Sequence, residues 1–169
     1  AKAYRETLQE QPLWHCGQLF KWPAQRVPTA QEHRYMTYSA LMAGANGLLW
    51  YTYKGFGQYL PVDTPDLWEF HKSLLQEVIA ITPLFLERRI GKEITLVEEN
   101  ELIHGYIKKC SMGKIAIVVN DSKTETVTAK IKLPSANGSV SVYGEDRKVA
   151  VVNGIINDEF KPLDVHIYR

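Results

Sequence analysis

Residues 126–133 alternate strictly, with Val127, Ala129, Ile131 and Leu133 on one side and Thr126, Thr128, Lys130 and Lys132 on the other. A period of two with one polar side predicts an antiparallel strand with one face in water. Earlier in the chain the period is longer. Leu67, Phe70, Leu74, Val78 and Ile81 recur three or four apart, which predicts a helix that opens near Pro65 and is ended or kinked by Pro83. Another helix is predicted from Thr29 to about Ala43. Thr29 is its N-cap and Glu32, three residues on, completes a capping box. Met36, Ala40 and Ala43 share one face and predict close packing on a sheet, and Gly44 and Gly47 stop the helix. Residues 13–20 read as a strand. The apolar run 47–53 reads as a strand buried on both faces. Residues 1–9 read as the end of a helix closed off by Pro12, and 21–28 and 54–64 as loops rich in Pro and Gly.

The chain changes character near residue 90. Strands are expected near 94–99, 102–110, 114–120, 125–133, 139–143, 147–152, 155–160 and 164–168. Asn137-Gly138 and Asn153-Gly154 read as hairpin turns. About eight short strands at this spacing predict a β-sandwich. The first part instead reads helix–strand–helix–strand–helix, the order of parallel βα units. Two domains follow, 1–90 and 91–169, linked through 84–93.

Composition narrows the function classes. The 169 residues carry 20 Lys+Arg against 19 Asp+Glu, a formal net charge of +1. That balance argues against nucleic acid as a partner and against a polybasic membrane anchor. Apolar runs such as 78–81 are far too short to span a bilayer. No signal segment opens the chain, and secreted and cytoplasmic settings both fit. Hydrophobic residues make up 45% of the chain, the level of a globular protein. Cys16 and Cys110 are read as buried thiols, with one bridge between them as the alternative. His15, His33, His71, His104 and His166 show no metal-ligand spacing, and no nucleophile elbow or phosphate-binding loop occurs, so no cofactor is expected.

Two parallel strands with three helices leave edges open to water, an aggregation template. Earlier βα units are therefore expected ahead of Ala1. A (β/α)8 barrel ends in two strand–helix units, and the first ninety or so residues have that order and length. The motif carriers are Pro28-Thr29-Ala30-Gln31-Glu32-His33-Arg34-Tyr35-Met36-Thr37-Tyr38 and Ala43-Gly44-Ala45-Asn46-Gly47-Leu48-Leu49-Trp50-Tyr51. With the strand Ile115-Ala116-Ile117-Val118-Val119-Asn120 and the ending Phe160-Lys161-Pro162-Leu163-Asp164-Val165-His166-Ile167-Tyr168, the chain resembles the C-terminal part of barrel glycoside hydrolases, β-galactosidase-like and related uncharacterised members. The resemblance spans roughly residues 10–169. It implies an α/β plus all-β fold: the last two βα units of a TIM barrel, then an antiparallel β-sandwich. Its implied partners are a carbohydrate substrate and the rest of the barrel, or a self-association partner covering the open strands.

Glycosidases need a carboxylate pair flanking the scissile bond. No Asp or Glu lies between Pro12 and Ala30 or within 47–53, so neither strand supplies one. No catalytic residue is assigned, and the chain alone is expected to be inactive. Ligands meet the C-terminal ends of barrel strands, which puts Gln18, Phe20, Trp22, Trp50, Tyr51 and Tyr53 at the pocket rim. Aromatic faces stack on sugar C–H surfaces and amides bond hydroxyls, although the same residues could simply fill the barrel top. Trp14, Cys16, Gln18 and Phe20 share one strand face, read as pointing into the barrel. Glu32 and Asp63 are read as helix caps, and His15 as a satisfied buried histidine. Two other readings stay open: a non-catalytic carbohydrate-binding or structural β-sandwich module, and a small α+β protein that oligomerises over its open strands.

Overall fold

The computed structural model describes residues 12–21, 25–55, 57–86, 92–111, 113–134 and 136–169. The expected helix over 1–9 lies outside them. The chain forms two units, 1–88 and 89–169. Among the described residues no helix is long and apolar enough to cross a membrane.

In the first unit, β1 (Trp14–Gln18) and β2 (Gly47–Tyr51) pair in parallel, joined by α1 (Ala30–Met42). The capping box forms as the local sequence dictates. Thr29 Oγ1 accepts from the Glu32 N–H at 3.1 Å, and Glu32 Oε2 accepts from the Thr29 N–H at 2.7 Å. Arg26 grips both Glu32 oxygens, at 2.6 and 2.7 Å. The Arg26 hydrogen bonds, opposed by burial and aided by Thr29, hold the Glu32 carboxyl down at about 2. The buried side of α1 is not the small-residue stripe of Met36, Ala40 and Ala43. It is His33, Thr37, Tyr38 and Leu41. A reading of apolar periodicity passes over His33 and Thr37, which are polar yet fully packed.

After β2 come a short hairpin, β3 (Lys54–Gly55) with β4 (Gln58–Tyr59), and the turn-length helix α2 (Leu60–Asp63). The long α3 (Pro65–Ala80) follows, then α4 (Thr82–Leu86) past the Ile81 break. Asp63 caps locally, but not α3: its carboxylate accepts from the Tyr59 N–H. Leu67, His71, Leu74 and Val78 form the buried side of α3. Glu77 Oε1 accepts from Arg34 at 2.7 Å and from the buried Tyr38 hydroxyl at 2.6 Å, tying α3 to α1.

The second unit holds two sheets. One has the order β11–β10–β13–β8–β7–β5 and the other β12–β9–β6. These strands are β5 (Lys92–Glu93), β6 (Thr95–Leu96), β7 (Ile103–Cys110), β8 (Gly113–Asn120), β9 (Val127–Lys132), β10 (Gly138–Val142), β11 (Arg147–Val151), β12 (Ile155–Phe160) and β13 (Val165–Tyr168). All pairings are antiparallel. β9 alternates buried and exposed as its sequence predicts. The core joins Val118, Ile131, Ile156 and Phe160 with residues of both sheets. The strand expected at 94–99 shortens to β6, which pairs with β9, while β5, in the segment read as the link, pairs with β7 in the other sheet. Of the two Asn-Gly turns, Asn153-Gly154 closes a tight turn with both φ positive and Val152 bridged to Ile155. Asn137-Gly138 makes no hairpin. It carries the chain from β9 to β10, which lie in different sheets.

Asp158 is the polar anchor of this unit. It accepts from two Arg147 nitrogens at 3.0 and 2.9 Å and from the Tyr168 hydroxyl at 2.8 Å, with His166 Nδ1 at 3.1 Å. Burial opposes its charge, but hydrogen bonds from His166, Arg147 and Tyr168 outweigh burial and hold the carboxyl far below the usual range. Asn120, fully buried, donates to the Phe160 and Lys161 carbonyls at 3.1 and 3.0 Å, fixing the end of β12 to β8.

Gly105 on β7 is where a side chain cannot be added. A Cβ there would collide with the Ile117 carbonyl oxygen and lie 3.1 Å from both Ile94 Cδ1 and Val118 Cα. Backbone atoms cannot swing aside, so Gly105→Ala is expected to destabilise the chain by about 2 kcal/mol or more, read as a lower midpoint in urea unfolding. An unchanged midpoint refutes this account of the β7–β8 approach.

Candidate functional site

The β1–β2 pair carries two unlike faces. The register sets Trp14 against Gly47, Cys16 against Leu49 and Gln18 against Tyr51 on one face, and His15 against Leu48 and Gly17 against Trp50 on the other. Each glycine makes room for an indole. A Cβ on Gly47 would lie 2.6 Å from the Trp14 ring, and one on Gly17 would lie 2.9 Å from the Trp50 ring.

The second face is covered by α1 and α3. Trp50 packs edge-on to His33 and His71, with ring centroids 6.1 and 4.9 Å away. Leu19, Leu60 and Leu67 form the small core beside it. The first face has no such cover among the described residues. Trp14 is 61% exposed, Leu49 50% and Tyr51 51%. The expectation that 47–53 is buried on both faces therefore fails on this side: among the described residues the sheet has two strands, and their own helices shield one face. Cys16 is exposed for the same reason rather than buried, and both thiols are free.

At the C-terminal ends of the strands three of the expected rim residues converge on that uncovered face. Phe20, buried, meets Tyr51 edge-to-face at 5.5 Å. Gln18 Nε2 donates to the Phe20 carbonyl at 2.8 Å, which pins the amide and leaves its Oε1 oxygen and second N–H for another partner. The peptide between Tyr51 and Thr52 is cis. Trp50 stands apart from this group, on the helix-covered face. Tyr53 lies past the strand end, against Tyr59 and Trp68, with both ring centroids 5.2 Å away. Trp22 lies outside the described residues. Tyr59 belongs, with Lys54, Phe56 and Asp63, to the 54–64 loop, which in a barrel reading lies where loops often bind substrate, so the sequence points to it; Trp68 it does not single out.

Behind the site sits a buried imidazole pair, His33 Nε2 to His71 Nδ1 at 2.9 Å. His33 Nδ1 has no partner among the described residues. An orphaned acceptor costs less than an orphaned N–H, so His33 Nε2–H donates to His71 Nδ1 and His33 Nδ1 is the bare nitrogen. Burial, and then the neighbouring His71, push His33 down to about 4, and burial lowers His71 as well. His15 is lowered by burial too, and its Nε2 is unpartnered, so it is not the satisfied histidine the sequence suggested. Among the described residues no three His, Cys, Asp or Glu side chains are grouped to hold a metal ion. In the second unit, Phe160 and Tyr168 are buried and Tyr106 and Tyr143 half-buried, so these four make no exposed aromatic row.

With this geometry in hand, the comparisons place the fold. No family model matches the chain, and no curated protein matches it. Among solved structures it is similar to an α-amylase from Geobacillus thermoleovorans complexed with acarbose, with TM-score 0.62 and 15% identity over 98% of this chain and 41% of that one. It is also similar to AmyP in complex with maltotriose, at 0.58 and 14% over 82% and 34%. A GH30 endoxylanase from Clostridium papyrosolvens C71 matches at 0.52 and 12% over 99% and 44%. The chain thus has a glycoside hydrolase-like fold, mixed α/β followed by β, and spans under half the length of each of these proteins.

The histidine pair makes stability depend on pH in a defined direction. Unfolded, His33 titrates near 6.5; folded, it stays neutral down to about 4. Above pH 6.5 neither state takes the proton. As pH falls from 6.5 to 4 the unfolded chain gains protons that the native pair refuses, so stability drops, by on the order of 2–3 kcal/mol. Urea midpoints of the wild type and of His33→Phe are expected to diverge across this window, the variant losing less. Parallel curves refute the neutral pair.

Proposed function

We propose that the chain forms the closing strand–helix units of a carbohydrate-active (β/α)8 barrel and lines one side of its sugar pocket without supplying the catalytic carboxylates. One observation carries this reading. A parallel strand pair has its outer face packed by its own helices, while on the inner face Trp14, Leu49 and Tyr51 are each half or more exposed. Parallel strands are stable only with both faces covered and with neighbours on their edges. Two staves of a barrel have this need, and the remaining staves, from the same polypeptide or a partner chain, would meet it. The likeness to larger glycoside hydrolases supports the same reading, and the helix and strand motifs favour a β-galactosidase-like member.

In that setting Gln18, Phe20 and Tyr51 would meet a ligand at the strand ends, with Tyr53 beyond them at the rim. The Gln18 amide offers a donor and an acceptor, which suits a sugar hydroxyl. The Tyr51 ring offers an apolar face braced edge-on by Phe20. Neither strand carries an Asp or Glu, so bond cleavage falls to carboxylates on other strands. A panel of nitrophenyl glycosides is expected to show no turnover by the chain alone.

The uncovered face gives the structural test. The isolated chain is expected to self-associate in light scattering and to bind a hydrophobic dye, and the double variant Trp14→Lys, Leu49→Lys to do neither while keeping its melting transition. A dye-silent monomer of 19.3 kDa for the unaltered chain overturns the barrel-stave reading.

A further inference from the structure

We propose that Tyr53, Tyr59 and Trp68 form an outer saccharide-stacking surface beyond the pocket, so that the ligand is an oligosaccharide rather than a single sugar. The inference rests on the pocket reading above and extends it outward. Three separate elements bring these rings together: the segment after β2, the strand β4 and the start of α3. Tyr53 stands edge-to-face with Tyr59 at 5.2 Å and tilted against Trp68 at the same separation. Its hydroxyl meets that of Tyr59 at 3.0 Å, and its backbone carbonyl accepts from the Leu60 N–H at 3.1 Å. Tyr53 is therefore pinned through ring, hydroxyl and backbone, yet 49% of it faces water.

A ring held on three sides and left half open is preorganised, so a ligand that stacks on it spends little conformational entropy. The chemistry matches a pyranose, which offers a C–H face to the ring and hydroxyls to the paired phenols. Lys54 Nζ lies 5.6 Å from the Tyr59 ring centroid and adds a further donor beside the cluster. Tyr53 follows Tyr51 by two residues across the cis Tyr51–Thr52 peptide, so their Cα atoms are at most about 6.7 Å apart, close enough for neighbouring units of one sugar chain.

The test is a titration of the full chain with maltoheptaose, xylohexaose and cellohexaose, and with glucose and xylose. The readout is the Trp68 indole N–H resonance, in the unaltered chain and in Tyr53→Ala, Tyr53→Phe and Tyr51→Ala. At least one oligosaccharide is expected to shift the Trp68 signal saturably, while the monosaccharides do not. Tyr53→Ala is expected to weaken that binding about three- to tenfold, and Tyr53→Phe, which keeps the ring and so guards against misfolding, to weaken it less. No response to any of the three oligosaccharides overturns the outer surface. Binding that is weakened by Tyr51→Ala but untouched by Tyr53→Ala also overturns it, and leaves the pocket reading standing. Binding that depends on Tyr53 and not on Tyr51 supports the outer surface and removes the pocket.

Discussion

Parallel pairing of β1 with β2 seats Trp14 over Gly47 and Trp50 over Gly17, and each glycine leaves the space that an indole on its neighbour fills. This crosswise exchange fixes the register. A slip of one residue would send every side chain to the opposite face. With the register set, Trp50 must enter the helical layer and Tyr51 must face away from it. The candidate site follows from that partition: Gln18, Phe20 and Tyr51 on the open side, and the histidines, Trp50 and the leucine core on the closed side.

The closed side is held by polar contacts as much as by apolar burial. His33 and His71 meet inside it as neutral rings, and Glu77 joins Arg34 and Tyr38 of α1 to α3. A neutral pair escapes the desolvation cost of a buried charge but lends its stability only while unprotonated. The second unit makes the opposite choice. Asp158 stays charged at the cost of burial, because Arg147, His166 and Tyr168 surround it with hydrogen bonds. Burial and the Asp158 charge in turn keep the Tyr168 phenol protonated and donating.

What was legible in the sequence was local. The Thr29/Glu32 capping box and the alternation of β9 need only nearest neighbours along the chain and form as expected; the stripe of α3 does so at Leu67, Leu74 and Val78, with His71 rather than Phe70 buried between them. What was not legible required partners far away. The His33–His71 bond spans 38 positions, so the buried face of α1 was assigned to small residues instead. The segment 84–93 reads as a link and 94–99 as one strand, and only the partners β7 and β9 show that 92–93 and 95–96 serve two sheets. Asn137-Gly138 and Asn153-Gly154 look alike as dipeptides, yet the flanking strands pair around the second alone. In the site, Gln18, Phe20 and Tyr51 could be grouped by alternation and strand ends. Trp50 was grouped with them because a short apolar run does not show which of its faces is covered. Tyr59 was visible only as a member of the 54–64 loop, and Trp68 escaped notice because it joins Tyr53 only after α3 folds back.

The carboxylates of the first unit bear on what it can do chemically. A glycosidase acid must hold its proton near neutral pH, which calls for a carboxyl in apolar surroundings with a raised pKa. Glu32 is driven the other way, to about 2, by the Arg26 guanidinium and the helix start it caps. Glu77 is committed to Arg34 and Tyr38, and Asp63 to the Tyr59 N–H. Each of these three is spent on holding an element in place, and the strands that reach the open face carry no Asp or Glu at all. Among the described residues the open face offers an amide and two aromatic rings, the chemistry that the proposed sugar contact calls for.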